Sequence, residues 1–179
     1  MSLSLVSGRN GLFPAAAALV ALGLAAVTAQ AQKPPVAPPM AAAATAPAMS
    51  AKAIDQAIKY RQAAYTVLYA SFGPLGAMAS GKMPYDAKAF QVRADRVAFM
   101  ATITPEVFPA GTAKGGIPSK AKPEIWQDRA DFDKLMKDLG DKTAALAVAA
   151  KSGSLDTIKP AFEAAAGACK ACHDKYKVE

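Results

Sequence analysis

An antiparallel up-down-up-down four-helix bundle is the all-α fold that this sequence predicts, on three observations. Alanine dominates the 179 residues while β-branched side chains are sparse, which favours helices over sheets. From Ala51 onward, apolar residues recur at helical spacing in four separate segments. Two short links and one long one join those segments, a connectivity that suits antiparallel neighbours.

The first helix is expected from about Lys52 to Phe72, because Ile54, Ile58, Tyr65, Leu68 and Phe72 fall on one stripe; Gly73-Pro74 should kink or end it. Arg61 lies on that same stripe, so it either snorkels to water or meets a buried anion. Asp86 is a suitable N-cap for the second helix, with Phe90, Ala94, Val97 and Ala101 inward, Asp95 and Arg96 outward, and an end before Pro105. Residues 104–122 carry three prolines and three glycines and read as a long irregular connection. Pro123 suits the first turn of a third helix whose apolar face is Ile125, Phe132, Leu135, Leu139 and Leu146, stopped by Ser152-Gly153. The fourth helix carries Leu155, Ile158, Phe162, Ala165, Cys169, Cys172 and Tyr176. Ser154 or Thr157 can cap it, and Thr157 is preferred because it leaves Pro160 in the first turn.

This bundle accounts for residues 51–179. Ahead of it, residues 1–31 have a single charge at Arg9, an apolar run from Leu12 to Val27 and a small-x-small exit at Ala29-Gln30-Ala31, the pattern of a secretory signal peptide cleaved after Ala31. An uncleaved anchor is the rival reading, but the apolar run is shorter than the roughly 20 residues a spanning helix needs. Residues 32–50 are rich in Pro and Ala and poor in large apolar groups, as expected of a disordered spacer. The mature protein is therefore expected in the periplasm, with no membrane attachment after cleavage.

Composition narrows the function. A chain this short, 53% hydrophobic and 20% charged, excludes a large multidomain enzyme. The excess of 21 Lys+Arg over 14 Asp+Glu gives a net charge of +7 without a basic run, so nucleic acid is not an expected partner. No residue set resembles an acid/base pair around a substrate pocket, and no enzymatic activity is expected.

Chemistry enters at Cys169-Lys170-Ala171-Cys172-His173. C-x-x-C-H is the pattern of c-type haem attachment. Two thiols three residues apart on a helix can each add to one porphyrin vinyl group, and the adjacent imidazole is then held where it can ligate the iron. A thioredoxin-type dithiol would belong at a helix N-terminus in a βαβ unit, a plain disulfide would leave His173 without a role, and zinc lacks a fourth ligand unless two chains share one. His173 is the sole histidine, which excludes bis-histidine ligation within one chain. The sixth position is then methionine, another donor or nothing. Met78, Met83, Met100 and Met136 all lie off the first-helix stripe; Met78 is the best remaining candidate ligand, with packing its commoner role. A five-coordinate iron faced by Tyr65 is the favoured expectation, and a six-coordinate His/Met electron-transfer cytochrome of the c-556 type is the alternative.

From about Ala51 to Lys177 the chain resembles cytochrome c′, the four-helix class of c-type cytochromes. The segments that carry the resemblance are Ala57-Ile58-Lys59-Tyr60-Arg61-Gln62, Pro84-Tyr85-Asp86-Ala87, Gly111-Thr112 with Gly115-Gly116, Pro123-Glu124-Ile125-Trp126, and Cys169 through Asp174. It implies one covalent haem c, thioethers from Cys169 and Cys172, and His173 as proximal iron ligand. It further implies that Arg61 and Gln62 approach the haem propionates and that Tyr65 crowds the opposite face, so that nitric oxide and carbon monoxide must displace a side chain to enter. Lys177 occupies a proximal position where relatives often carry arginine, a departure that removes the planar fork of the guanidinium. Trp126, at the opening of the third helix, and Phe162, on the face of the fourth, complete the expected cofactor contacts. The implied partners are small redox proteins and a second copy of the chain, docked through the first two helices.

Overall fold

The computed structural model describes residues 48–179. The expected signal peptide and all but the last three residues of the expected spacer lie outside the described residues. Four long helices form the bundle: α1 (Ala51–Ala79), α2 (Ala87–Ile103), α4 (Arg129–Ala150) and α5 (Leu155–Tyr176). A single turn, α3 (Glu124–Gln127), and a 3-10 turn, Thr104–Val107, sit in the long connection. Each long helix packs on its neighbours in the ring α1, α2, α4, α5. The described residues contain no strand; one isolated bridge pairs Ala121 with Lys177 and ties the long connection to the end of α5.

Ser50, the last residue of the expected spacer, is instead the N-cap of α1, its Oγ accepting from the Ala53 N–H at 3.3 Å. Helix α1 also runs past the expected break at Gly73-Pro74. Pro74 has no N–H for the Ala70 carbonyl, and Arg93 of α2 supplies a donor at 3.2 Å. An interior proline costs about 3 kcal/mol, whereas burying Leu75 and Met78 beyond it contributes about 1.5–3 kcal/mol each. Burial wins, and the helix continues until Ser80 caps it and Gly81 turns the chain at φ +74°.

Helix α2 keeps its expected cap and inward face, with Asp86 Oδ1 accepting from the Ala89 N–H at 2.9 Å. The third helix is not continuous. Asp128, at φ −113° and ψ 58°, separates α3 from α4, and its side chain receives Lys175 of α5 at 3.1 Å. Helix α5 starts at Ser154 rather than Thr157, because the Ile158 N–H bonds the Ser154 carbonyl at 3.1 Å while its side chain is fully buried. Pro160 is therefore inside the helix; the Asp156 carbonyl it leaves without a backbone donor is on an exposed residue that water can reach.

Two apolar clusters fill the bundle. One joins Leu75, Met78, Phe90, Ala94, Val97, Leu146 and Ile158. The other gathers Val107, Phe108, Ile125, Phe132, Met136, Leu139 and Tyr176, with Tyr65, Cys169 and Cys172 against it. The second cluster is hollow, and its hollow is the candidate site.

Candidate haem-binding site

A cavity of about 570 Å³ opens between α1, α4, α5 and the long connection, in the size range of cofactor pockets. Helix α5 brings Cys169, Cys172 and His173 to one wall, since residues three and four apart share a helix face. Both cysteines are free and half-buried. Burial pushes both thiols up, Cys172 to about 11 with a smaller contribution from Cys169, so they remain protonated at neutral pH. Burial, and then the Lys177 charge, lowers the His173 pKa below the usual imidazole value, leaving a neutral ring with a free lone pair.

Arg61 resolves the choice left by the sequence in favour of burial: it is 4% exposed. Its Nε donates to the Val107 carbonyl at 2.9 Å, one terminal nitrogen to Thr112 Oγ1 at 2.8 Å and the other to Ser119 Oγ at 3.4 Å. Its guanidinium carbon lies 4.6 Å from the Phe108 ring centroid and 5.0 Å from that of Trp126. None of these partners is an anion. A buried cation without a carboxylate, on the wall of a largely apolar cavity that also carries two thiols and an imidazole, fits a cofactor with acidic substituents and vinyl carbons. The charged groups on the wall, Arg61, Lys120 and Lys177, are all basic.

Gln62 also lines the cavity, although its amide donates outward to the Pro118 carbonyl at 2.8 Å. Tyr65 faces it from α1, edge-on to Phe108 at 6.1 Å, and burial raises its phenol pKa well above the usual value. Lys177 reaches the rim, where its backbone pairs with Ala121.

Two expected cofactor contacts are displaced from the wall. Trp126 stands behind Arg61 and donates its indole N–H to the Pro109 carbonyl at 2.8 Å, because the single turn α3 directs Ile125 to the cavity instead. Phe162 stacks on Phe72 at 5.1 Å and joins the other cluster; it precedes Cys169 by seven residues, roughly 10 Å along the helix axis. Met78 is likewise buried in that other cluster, with Leu75 and Phe90, and does not line the cavity. The methionine on the wall is Met136, 2% exposed, a residue the sequence reading did not single out. Its signal was present: Phe132, Met136, Leu139, Thr143 and Leu146 follow one buried stripe of α4. Phe108 and Ser119 had no such signal, since the connection that carries them is irregular.

The cytochrome c′ family model matches residues 56–177. Cytochrome c′ of Rubrivivax gelatinosus is 43% identical over 128 residues, covering 68% of this chain and 93% of the relative. Among solved structures, cytochrome c prime from Shewanella frigidimarina aligns at a TM-score of 0.67 with 48% identity, over 70% of this chain and 97% of that one. The nitric oxide complex of a mutant cytochrome c prime from Alcaligenes xylosoxidans aligns at 0.64 with 32% identity, over 70% and 97%. A match across the bundle, the long connection and the C-x-x-C-H segment together makes this chain a member of the cytochrome c′ family, proteins that carry covalent haem c and are not enzymes.

Proposed function

We propose that this protein is a periplasmic haem c protein with a five-coordinate, His173-ligated iron, which binds nitric oxide and carbon monoxide and exchanges single electrons. The observation that carries the reading is the wall of α5, where both thiols and the lone imidazole of the chain face one apolar cavity. Gas binding and electron exchange are chemistry that the haem iron supplies. Cys169 and Cys172 would hold the group through thioethers, His173 would offer its neutral nitrogen to the iron, and Arg61, with Gln62 beside it on the wall, would face the propionates. The nitric oxide complex of the Alcaligenes relative supports the choice of ligand. Residues 1–31 support export, the compartment in which such haem is attached.

A second copy of the chain and small redox proteins are the proposed partners. Tyr60 and Val67 on α1 and Val92 and Phe99 on α2 are large apolar side chains exposed on two adjacent helices, as docking through these helices requires.

Met136 favours a second reading, a six-coordinate His/Met carrier, because this thioether-bearing residue lines the cavity. The absorption spectrum of the ferrous protein, with and without carbon monoxide, decides between them. Broad high-spin bands that change on adding carbon monoxide are expected; sharp low-spin α and β bands that collapse in Met136→Leu would establish the alternative.

A further inference from the structure

The cavity wall carries five uncharged oxygen- or amide-bearing side chains. Four are accounted for. Gln62 donates to the Pro118 carbonyl, Ser119 accepts from Arg61 and from the Ala121 N–H, Tyr176 donates to Asp131 Oδ2 at 2.8 Å, and Tyr69 is 73% exposed to water. Tyr65 is the exception. Its hydroxyl has one partner, the Met136 thioether sulfur at 3.9 Å, and a thioether is a weak acceptor.

A phenylalanine at this position would keep the edge-on contact with Phe108 and the packing against Met136, so filling space does not explain the oxygen. A half-buried phenol held on so poor an acceptor gains by turning to a better one when it arrives. Leu68, Phe72, Phe132 and Leu139, which line the same cavity, are hydrocarbon and offer no acceptor, and the Met136 sulfur is the partner that the hydroxyl has.

We infer that the Tyr65 hydroxyl is a hydrogen-bond donor to the outer atom of a diatomic ligand bound in this cavity, with Met136 as its resting acceptor. The inference rests on the haem reading above and deepens it: Tyr65 does more than crowd the distal face. The outer oxygen of a diatomic bound to ferrous haem would carry partial negative charge and be a better acceptor than a thioether. The side chain then selects ligands that accept a hydrogen bond, where an apolar residue would select by size alone.

The test uses the full holoprotein and its ferrous carbon monoxide complex. In Tyr65→Phe the C–O stretch is expected to rise, its sensitivity to deuterated solvent to vanish, and carbon monoxide to dissociate roughly five-fold faster, the loss of one ordinary hydrogen bond. Met136→Leu removes the resting acceptor without touching the donor, so its stretch is expected at or below the wild-type position. An unchanged stretch in Tyr65→Phe, or a rise in Met136→Leu, overturns the inference while leaving the haem site standing. Absence of any carbon monoxide complex in the wild-type protein overturns both.

Discussion

Arg61 joins two functions that a lysine could not combine. The forked guanidinium reaches the Val107 and Thr112 carbonyls, Thr112 Oγ1 and Ser119 Oγ, so one side chain pins the long connection at three positions while its charge faces the cavity. Burial lowers its pKa, yet a guanidinium remains charged at any physiological pH. Arg61→Leu is expected to leave these acceptors without a donor and to cost about 2 kcal/mol, read as a lower urea midpoint. On the proposed placement of Arg61 toward the propionates it is also expected to lower the haem reduction potential, because removing a cation there favours the oxidised iron. A potential equal to wild type would confine Arg61 to holding the connection.

The long connection acts as a structural element although little of it is regular. Its Gly115-Gly116 segment lies on α1, where the Gly116 N–H donates to Asp55 Oδ1 at 2.7 Å. A Cβ on Gly115 would stand 2.5 Å from Asp55 Oδ1 and 2.7 Å from Ile58 Cδ1, closer than side chains approach. The absence of a side chain is what lets the connection reach the helix. Gly115→Ala is expected to destabilise the fold by about 1–3 kcal/mol in chemical denaturation. The loosened connection also carries Ser119 and Ala121 of the cavity wall, so haem-site spectra should broaden in the same variant. At its far end the connection is held by the Lys122 N–H on the Tyr176 carbonyl at 2.9 Å and the Val178 N–H on the Lys120 carbonyl at 2.8 Å, which fixes the last turn of α5 beside the cavity.

At the scale of the molecule, the bundle is asymmetric: one end is solid and the other is hollow. Leu75, Phe90, Val97, Leu146 and Ile158 fill the solid end and set the helices at fixed spacing, so the hollow end does not depend on its own packing to hold its width. The exposed apolar groups of α1 and α2 belong to the outside of this assembly. If the proposed dimer forms through these helices, wild type sediments as a dimer, and replacing both Val67 and Phe99 with glutamate is expected to give monomer while leaving the haem spectrum intact, since neither residue lines the cavity. An unchanged dimer would place the interface on another face.

The amino-acid sequence by itself determined whatever depends on neighbours along one helix. Apolar spacing located the four long helices, Asp86 marked the start of α2, and Cys169, Cys172 and His173 share a wall because three- and four-residue spacing puts them there. Tertiary structure decided what depends on faces meeting across space. Pro74 failed to end α1 because burial beyond it outweighs one lost hydrogen bond, and the third helix breaks at Asp128, whose carboxylate pairs with Lys175 of α5. Likewise Trp126 and Phe162 left the wall while Met136 joined it, since periodicity gives the direction of a side chain but not the depth at which two helices cross. The chemistry of this site was written in a local motif; the groups that tune it were set by packing, which no local pattern encodes.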